Sequence, residues 1–76
     1  MIKRDKDEDV FLKQLGKRIA AIRKEKKIRQ VDLGYAVDLE KSNMNRIEAG
    51  NTNPSILILN KISNHLGVTL SDLFDF

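Results

Sequence analysis

The sequence predicts an all-α fold, a compact domain of five helices. Three observations carry this. Phe11, Leu15, Ile19 and Ile22 recur at helical spacing, which gives residues 8–26 one apolar face. Gly50, Asn53-Pro54 and Gly67 then punctuate the remainder as helix stops and starts. Thr69 stands three residues before Asp72, the spacing of a capping box.

The first helix is predicted over residues 8–26. Acids crowd its start (Asp5, Asp7, Glu8, Asp9) and bases its end (Lys24, Lys26, Lys27), as the helix dipole favours. Residues 1–7 are expected to form a flexible N-terminal segment, with the folded domain over 8–76. A second helix runs from Gln30 to Val37. Ile28 and Leu33 have the spacing of a hydrophobic staple about Arg29 as the cap residue, with Asp32 at the third helical position. Arg29 is itself a poor cap. Asp38 breaks this helix, since Asp tolerates the left-handed backbone of a tight turn.

The third helix spans Lys41 to Ala49 and stops at Gly50. The fourth runs from Pro54 to Leu66, with Asn53 as cap and Pro54 at the first helical position. Its expected inward stripe is Ile56, Leu59, Ile62 and Leu66. The capping box at Thr69 opens a last short helix that reaches Phe74.

A chain of 76 residues has room for one domain. With 41% hydrophobic and 33% charged residues it reads as a soluble globular fold. There is no Cys, hence no disulfide framework and no thiolate metal site, which fits a reducing compartment. The charged N-terminus has no apolar signal core, and no apolar run approaches the roughly 18 residues of a spanning helix. Catalysis is not expected. There is one His, no Gly-rich phosphate loop follows a strand pattern, and so small a core has little room for a substrate pocket. No cofactor and no metal are expected either, because the lone His65 has no partner ligands at suitable spacing. The net charge of +3 is uneven. Residues 1–29 hold 11 Lys/Arg against 5 acids, and residues 30–76 hold 3 against 6. The basic run from Lys13 to Arg29 suits either an anionic partner or a solvated face.

The informative stretch is QVDLGYAVDLEKSNMNRIEAG, residues 30–50. Gly34 falls mid-helix, where it is about 1 kcal/mol worse than Ala. A small residue there lets the next helix approach, and two short helices about a tight turn fit a helix-turn-helix. Projected at about 100° per residue, Met44 and Ile47 point to the core. Lys41, Ser42, Asn45, Arg46 and Ala49 point outward. They carry the groups that read base edges: Lys or Arg for guanine, Asn for adenine, Ser for either, Ala for a thymine methyl. Asn43 falls on the flank, where phosphate contact is easier. A polar surface helix would share this pattern.

These residues resemble the Cro/cI-type helix-turn-helix family, also called the XRE family. The resemblance covers Leu15 to Phe74 through LGKRIAAIRKEKKIRQVDL, KSNMNRIEAG and NPSILILNKISNHLGVTLSDLF. It implies a lambda-repressor-like domain that binds double-stranded DNA as a dimer, with residues 41–49 as recognition helix. Lys41, Ser42 and Arg46 match positions that reach base edges, with Asn45 as a fourth. Gln30, Asn43, Asn51 and Asn53 match positions that touch phosphates. Arg23 and Glu48 match a structural ion pair.

Three positions depart from the family pattern. Arg29 stands where Thr or Ser usually caps, and its basic side chain is expected to reach phosphate instead. Glu40 stands at another cap position, where a carboxylate suits the helix dipole but faces DNA phosphates. Leu57 and Ile58 occupy positions that are often polar. They are expected to point away from the inward stripe, and with Phe76 to form a homodimer interface, unless the N-terminal segment covers them.

The expected function is thus a sequence-specific transcriptional regulator, a repressor acting on a near-palindromic operator. The expected location is the cytoplasm, in a bacterial or phage-encoded protein. The alternative is an antitoxin-type protein-interaction module that also binds its own promoter. Duplex RNA is a poorer partner, because its deep, narrow major groove excludes a helix. Tyr35 is placed either as a phosphate contact or as a half-packed side chain. Phe11, Phe74 and Phe76 read as core or lid residues.

Overall fold

The computed structural model describes residues 4–76. Among these residues the chain forms five helices: α1 (Lys6–Glu25), α2 (Gln30–Ala36), α3 (Lys41–Ala49), α4 (Ile56–Leu66) and α5 (Leu70–Leu73). α3 packs on α1 and α2, while α5 closes over α4 and α1. The shared core is drawn from every helix, with Ile19, Leu33, Met44, Ile62 and Leu73 wholly buried.

α1 begins earlier than the sequence predicts. Asp5 and Glu8 form a reciprocal capping box, each side chain accepting from the other's backbone N–H at 2.9 Å. Asp5 to Asp7 therefore belong to the start of the helix rather than to a flexible segment, and residues 1–3 of that segment lie outside the described residues. The buried face is Leu12, Leu15, Ile19, Ile22 and Arg23. Phe11, expected on that face, lies beyond the end of the core and is half-exposed. It stacks on Phe74 and meets Phe76 at a tilt instead, with ring centroids 6.2 and 5.5 Å apart.

The turn after α2 follows its chemistry. Asp38 takes a left-handed φ of 59°, and the Leu39 N–H donates back to the Gly34 carbonyl at 2.7 Å. A Cβ on Gly34 would stand 3.0 Å from the Leu39 oxygen and 3.5 Å from the Met44 Cβ, so a small residue is required there. α3 stops at Gly50, whose φ of 76° is left-handed.

α4 needs two corrections. Its cap is Ser55, which accepts from the Ile58 N–H at 3.1 Å, so Asn53-Pro54 leads into the helix without opening it. The inward stripe is Ile58, Leu59, Ile62 and Leu66. Ile58 packs against the core, and Ile56 is exposed in its place. Ile56 sits at the first helical position, beyond the reach of the core. α5 opens on the Thr69–Asp72 capping box and ends at Leu73, with Phe74 as its C-cap.

Candidate nucleic-acid interface

The interface is built around α3. Met44 and Ile47 anchor its inner side. Lys41, Ser42, Asn45, Arg46 and Ala49 stand exposed on the other, and Asn43 is exposed on the flank. Neither Lys41 nor Arg46 is in an ion pair among the described residues, so both cations are available to a ligand. Ser42 and Asn45 add a hydroxyl and an amide to the same surface.

The position of this face is set by backbone packing as much as by side chains. A Cβ on Gly16 would stand 2.5 Å from the Ile47 carbonyl oxygen and closer still to that of Glu48. A Cβ on Gly50 would stand 2.6 Å from the Lys13 Cα. The C-terminal turn of α3 thus lies directly on the α1 backbone. Sequence reasoning passed over Gly16. Its one signal was a glycine inside an otherwise strong amphipathic helix.

A polar cluster braces the same end. Arg23 donates to both Glu48 carboxylate oxygens, at 2.7 and 3.0 Å, and to the Ile28 carbonyl at 2.9 Å. The Gln30 amide nitrogen donates to Glu48 Oε1 at 3.1 Å. α1, α2 and α3 meet in this cluster. The Gln30–Glu48 bond is a second feature that sequence reasoning did not find, because the two residues are 18 positions apart.

The flanking residues fall into two groups. Arg29 is exposed and makes no capping bond. Its guanidinium holds Asp32 at 2.8 and 3.2 Å. That hydrogen-bonded pair raises the Arg29 pKa and lowers that of Asp32. Asn51 and Asn53 are exposed in the loop that follows α3, on the approach to α4. Glu40 is exposed at the start of α3 and its side chain caps nothing. Tyr35 is 78% exposed, which leaves its hydroxyl in solvent and excludes the half-packed placement. With Val31, Leu39, Glu40 and Lys41 it lines a shallow hollow of about 210 Å³. Among the described residues no three or more His, Cys, Asp or Glu stand together as a metal site, and no helix is long and apolar enough to cross a membrane.

The model of the Cro/C1-type HTH DNA-binding domain fits residues 18–76. The chain belongs to this family. Its Cro/C1-type fold is shared with the restriction-modification controller protein C.AhdI from Aeromonas hydrophila. The TM-score is 0.80 at 27% identity, over 83% of this chain and 96% of that one. The clp gene regulator ClgR from Corynebacterium glutamicum superposes with a TM-score of 0.81 at 21% identity, over 83% of this chain and 67% of that one. In sequence, the chain is 39% identical to the control protein C.MunI from Mycoplasma sp, over 80% of this chain and 84% of that protein. It is 40% identical to the immunity repressor protein of Bacillus phage phi105, over 75% of this chain. It spans only 40% of the immunity repressor's length. In Cro/C1-type terms, α2 and α3 are the helix-turn-helix, and the domain's role is DNA binding.

Proposed function

We propose that the chain is a transcriptional regulator, acting as a repressor, that binds a near-palindromic operator as a dimer through α3. Lys41, Ser42, Asn45 and Arg46 read base edges in the major groove. Gln30, Arg29, Asn43, Asn51 and Asn53 hold backbone phosphates and set the register. The mechanism is occupancy without chemistry. The single observation that carries this reading is the outward face of α3, where four polar side chains with base-reading groups stand exposed and both cations are unpaired among the described residues.

Two further features support it. Arg29 keeps its charge in an exposed pair from which a phosphate can displace Asp32. Leu57 is 71% exposed and Ile56 beside it is 59% exposed, which leaves apolar surface for a second copy. The dimer surface is therefore drawn through Ile56 and Leu57 with Phe76, and Ile58 is left to the core.

Selection of bound sites from random duplex DNA tests the reading. The expected result is a two-fold motif whose half-sites lie about 34 Å apart, one turn of DNA. No enrichment, or equal competition by duplex RNA, would overturn it.

A further inference from the structure

Glu48 is a carboxylate on the recognition helix that base reading does not use. Its side chain is 7% exposed, and that of its partner Arg23 is 10% exposed. Arg23 supplies two of its three hydrogen bonds, and the Gln30 amide nitrogen supplies the third. Such a group has to be either scaffold alone or scaffold with a task. The third bond points to a task.

An ionised carboxylate only accepts hydrogen bonds. Glu48 therefore decides which end of the Gln30 amide faces inward. The nitrogen end gives a bond, whereas the carbonyl end would set two acceptors against each other. The amide nitrogen carries two hydrogens. One is bound to Glu48, and the planar amide directs the other away from it. Gln30 is the first residue of α2, and it is only partly buried. We infer that Glu48 is a positioning residue for DNA binding: it accepts one amide hydrogen of Gln30 and so aims the other at a backbone phosphate. The inference rests on the reading of Gln30 as a phosphate ligand.

Arg23 completes the device. Its guanidinium lies against both Glu48 oxygens, so a phosphate approaching Gln30 meets a neutralised carboxylate. The orientation of Gln30 is fixed before DNA arrives. Ordering one flexible side chain during association weakens binding by about 2- to 10-fold, and a pre-set amide avoids that loss.

The test measures affinity for a random-sequence duplex of two helical turns. It compares the unaltered chain with Gln30→Met, Glu48→Asp and the double variant. Glu48→Asp keeps the charge for Arg23 and withdraws the carboxylate by one methylene. The expected result is a loss of about 2- to 10-fold for each single variant and no further loss in the double variant. Equal losses from Glu48→Asp in both backgrounds would overturn positioning in favour of scaffold alone. An unchanged affinity for Gln30→Met would overturn both the inference and the phosphate reading. A loss for Gln30→Met with none for Glu48→Asp would overturn the inference only.

A second measurement needs no folded Glu48 variant. In the NMR spectrum of the unaltered chain, the Gln30 side-chain amide is assigned by its disappearance in Gln30→Met. One of its protons is expected to exchange slowly before DNA is added, and the other to shift when duplex is added. Two freely exchanging protons in the absence of DNA would overturn the inference.

Discussion

Arg23 of α1 and Glu48 of α3 form a two-pronged ion pair, at 2.7 and 3.0 Å, with both side chains almost wholly out of water. A pair of this kind is a weak source of net stability, because its desolvation offsets much of its attraction. Removing one partner is a different matter, since it strands the other charge. Arg23→Met is expected to destabilise the domain by about 3–5 kcal/mol. That is a large share of the roughly 5–15 kcal/mol that holds a typical domain together. Replacing both residues by methionine is expected to cost less than Arg23→Met alone. Urea unfolding followed by circular dichroism measures both. A double variant less stable than Arg23→Met would mean that the loss of Arg23 does not strand Glu48, and the gap between the double variant and the unaltered chain gives the net contribution of the pair.

Gly16→Ala is expected to be more damaging than Gly67→Ala. The Gly16 methyl would strike the backbone carbonyls of Ile47 and Glu48, which cannot move without lifting α3 from α1. Overpacking of that kind costs about 1–3 kcal/mol or more. At Gly67 there is open space, and only the left-handed φ of 72° is unfavourable, by about 1–2 kcal/mol. Gly16→Ala is also expected to weaken DNA binding in the folded fraction, because it displaces α3, the proposed reading helix. Comparable urea midpoints for the two variants would contradict the close backbone packing.

The legibility of these features in the sequence follows from how local their causes are. The bounds of α3 and the stop at Gly50 rest on signals within one turn of the chain, and the sequence shows them. The Thr69–Asp72 box is equally local. The start of α1 is local too, but Asp5 and Glu8 sit in an acidic run and read as a solvated end until their mutual bonds are seen. α4 is harder. Ile56, Leu57, Ile58 and Leu59 are four apolar residues in a row, so periodicity cannot choose its phase. The neighbouring core chooses it, and brings in Ile58 rather than Ile56. Around the candidate interface, the exposure of Lys41, Ser42, Asn45 and Arg46 follows from helix geometry once Met44 and Ile47 are inward. The Gln30–Glu48 bond and the Gly16 contact join distant parts of the chain, and no pattern within one helix announces them.

Asp72 ties the last helix to pH. The Thr69 backbone N–H, donating to its carboxylate at 2.9 Å, holds the Asp72 pKa below its usual range, and the Thr69 hydroxyl adds to this. The folded value thus lies below the unfolded one, and the unfolded chain takes up the proton first. The resulting stability is present above the ordinary aspartate pKa of about 3.9 and is lost as the pH falls through the lower folded value. Asp72→Asn is expected to be less stable at neutral pH and to lose less on acidification. Urea midpoints at neutral pH and below the ordinary aspartate range report the difference. An unchanged acid-side loss would show that the cap is not the titrating contact.

Arg46 separates reading from holding. As a base reader it is expected to supply about 1–3 kcal/mol of discrimination at one base pair. Arg46→Ala would then relax preference at that position and leave the others intact. Competition among single-base variants of a selected site measures this. Uniform weakening across all sequences would assign Arg46 to a phosphate instead.

Leu57 tests assembly with little risk to the fold. It is 71% exposed, so Leu57→Lys is expected to change monomer stability by no more than about 0.5 kcal/mol. A charge placed in an apolar contact between two copies has to be desolvated or repels its symmetry mate, so the same change is expected to disrupt the dimer. In the proposed dimer two copies of α3 would meet the operator, and loss of the dimer would remove the second copy's contribution. The variant is therefore expected to sediment as a monomer where the unaltered chain self-associates, and to lose affinity for a two-fold site more than for a half-site. A monomer at high micromolar concentration for the unaltered chain would sink this interface, and unchanged association in Leu57→Lys would move it elsewhere on the surface.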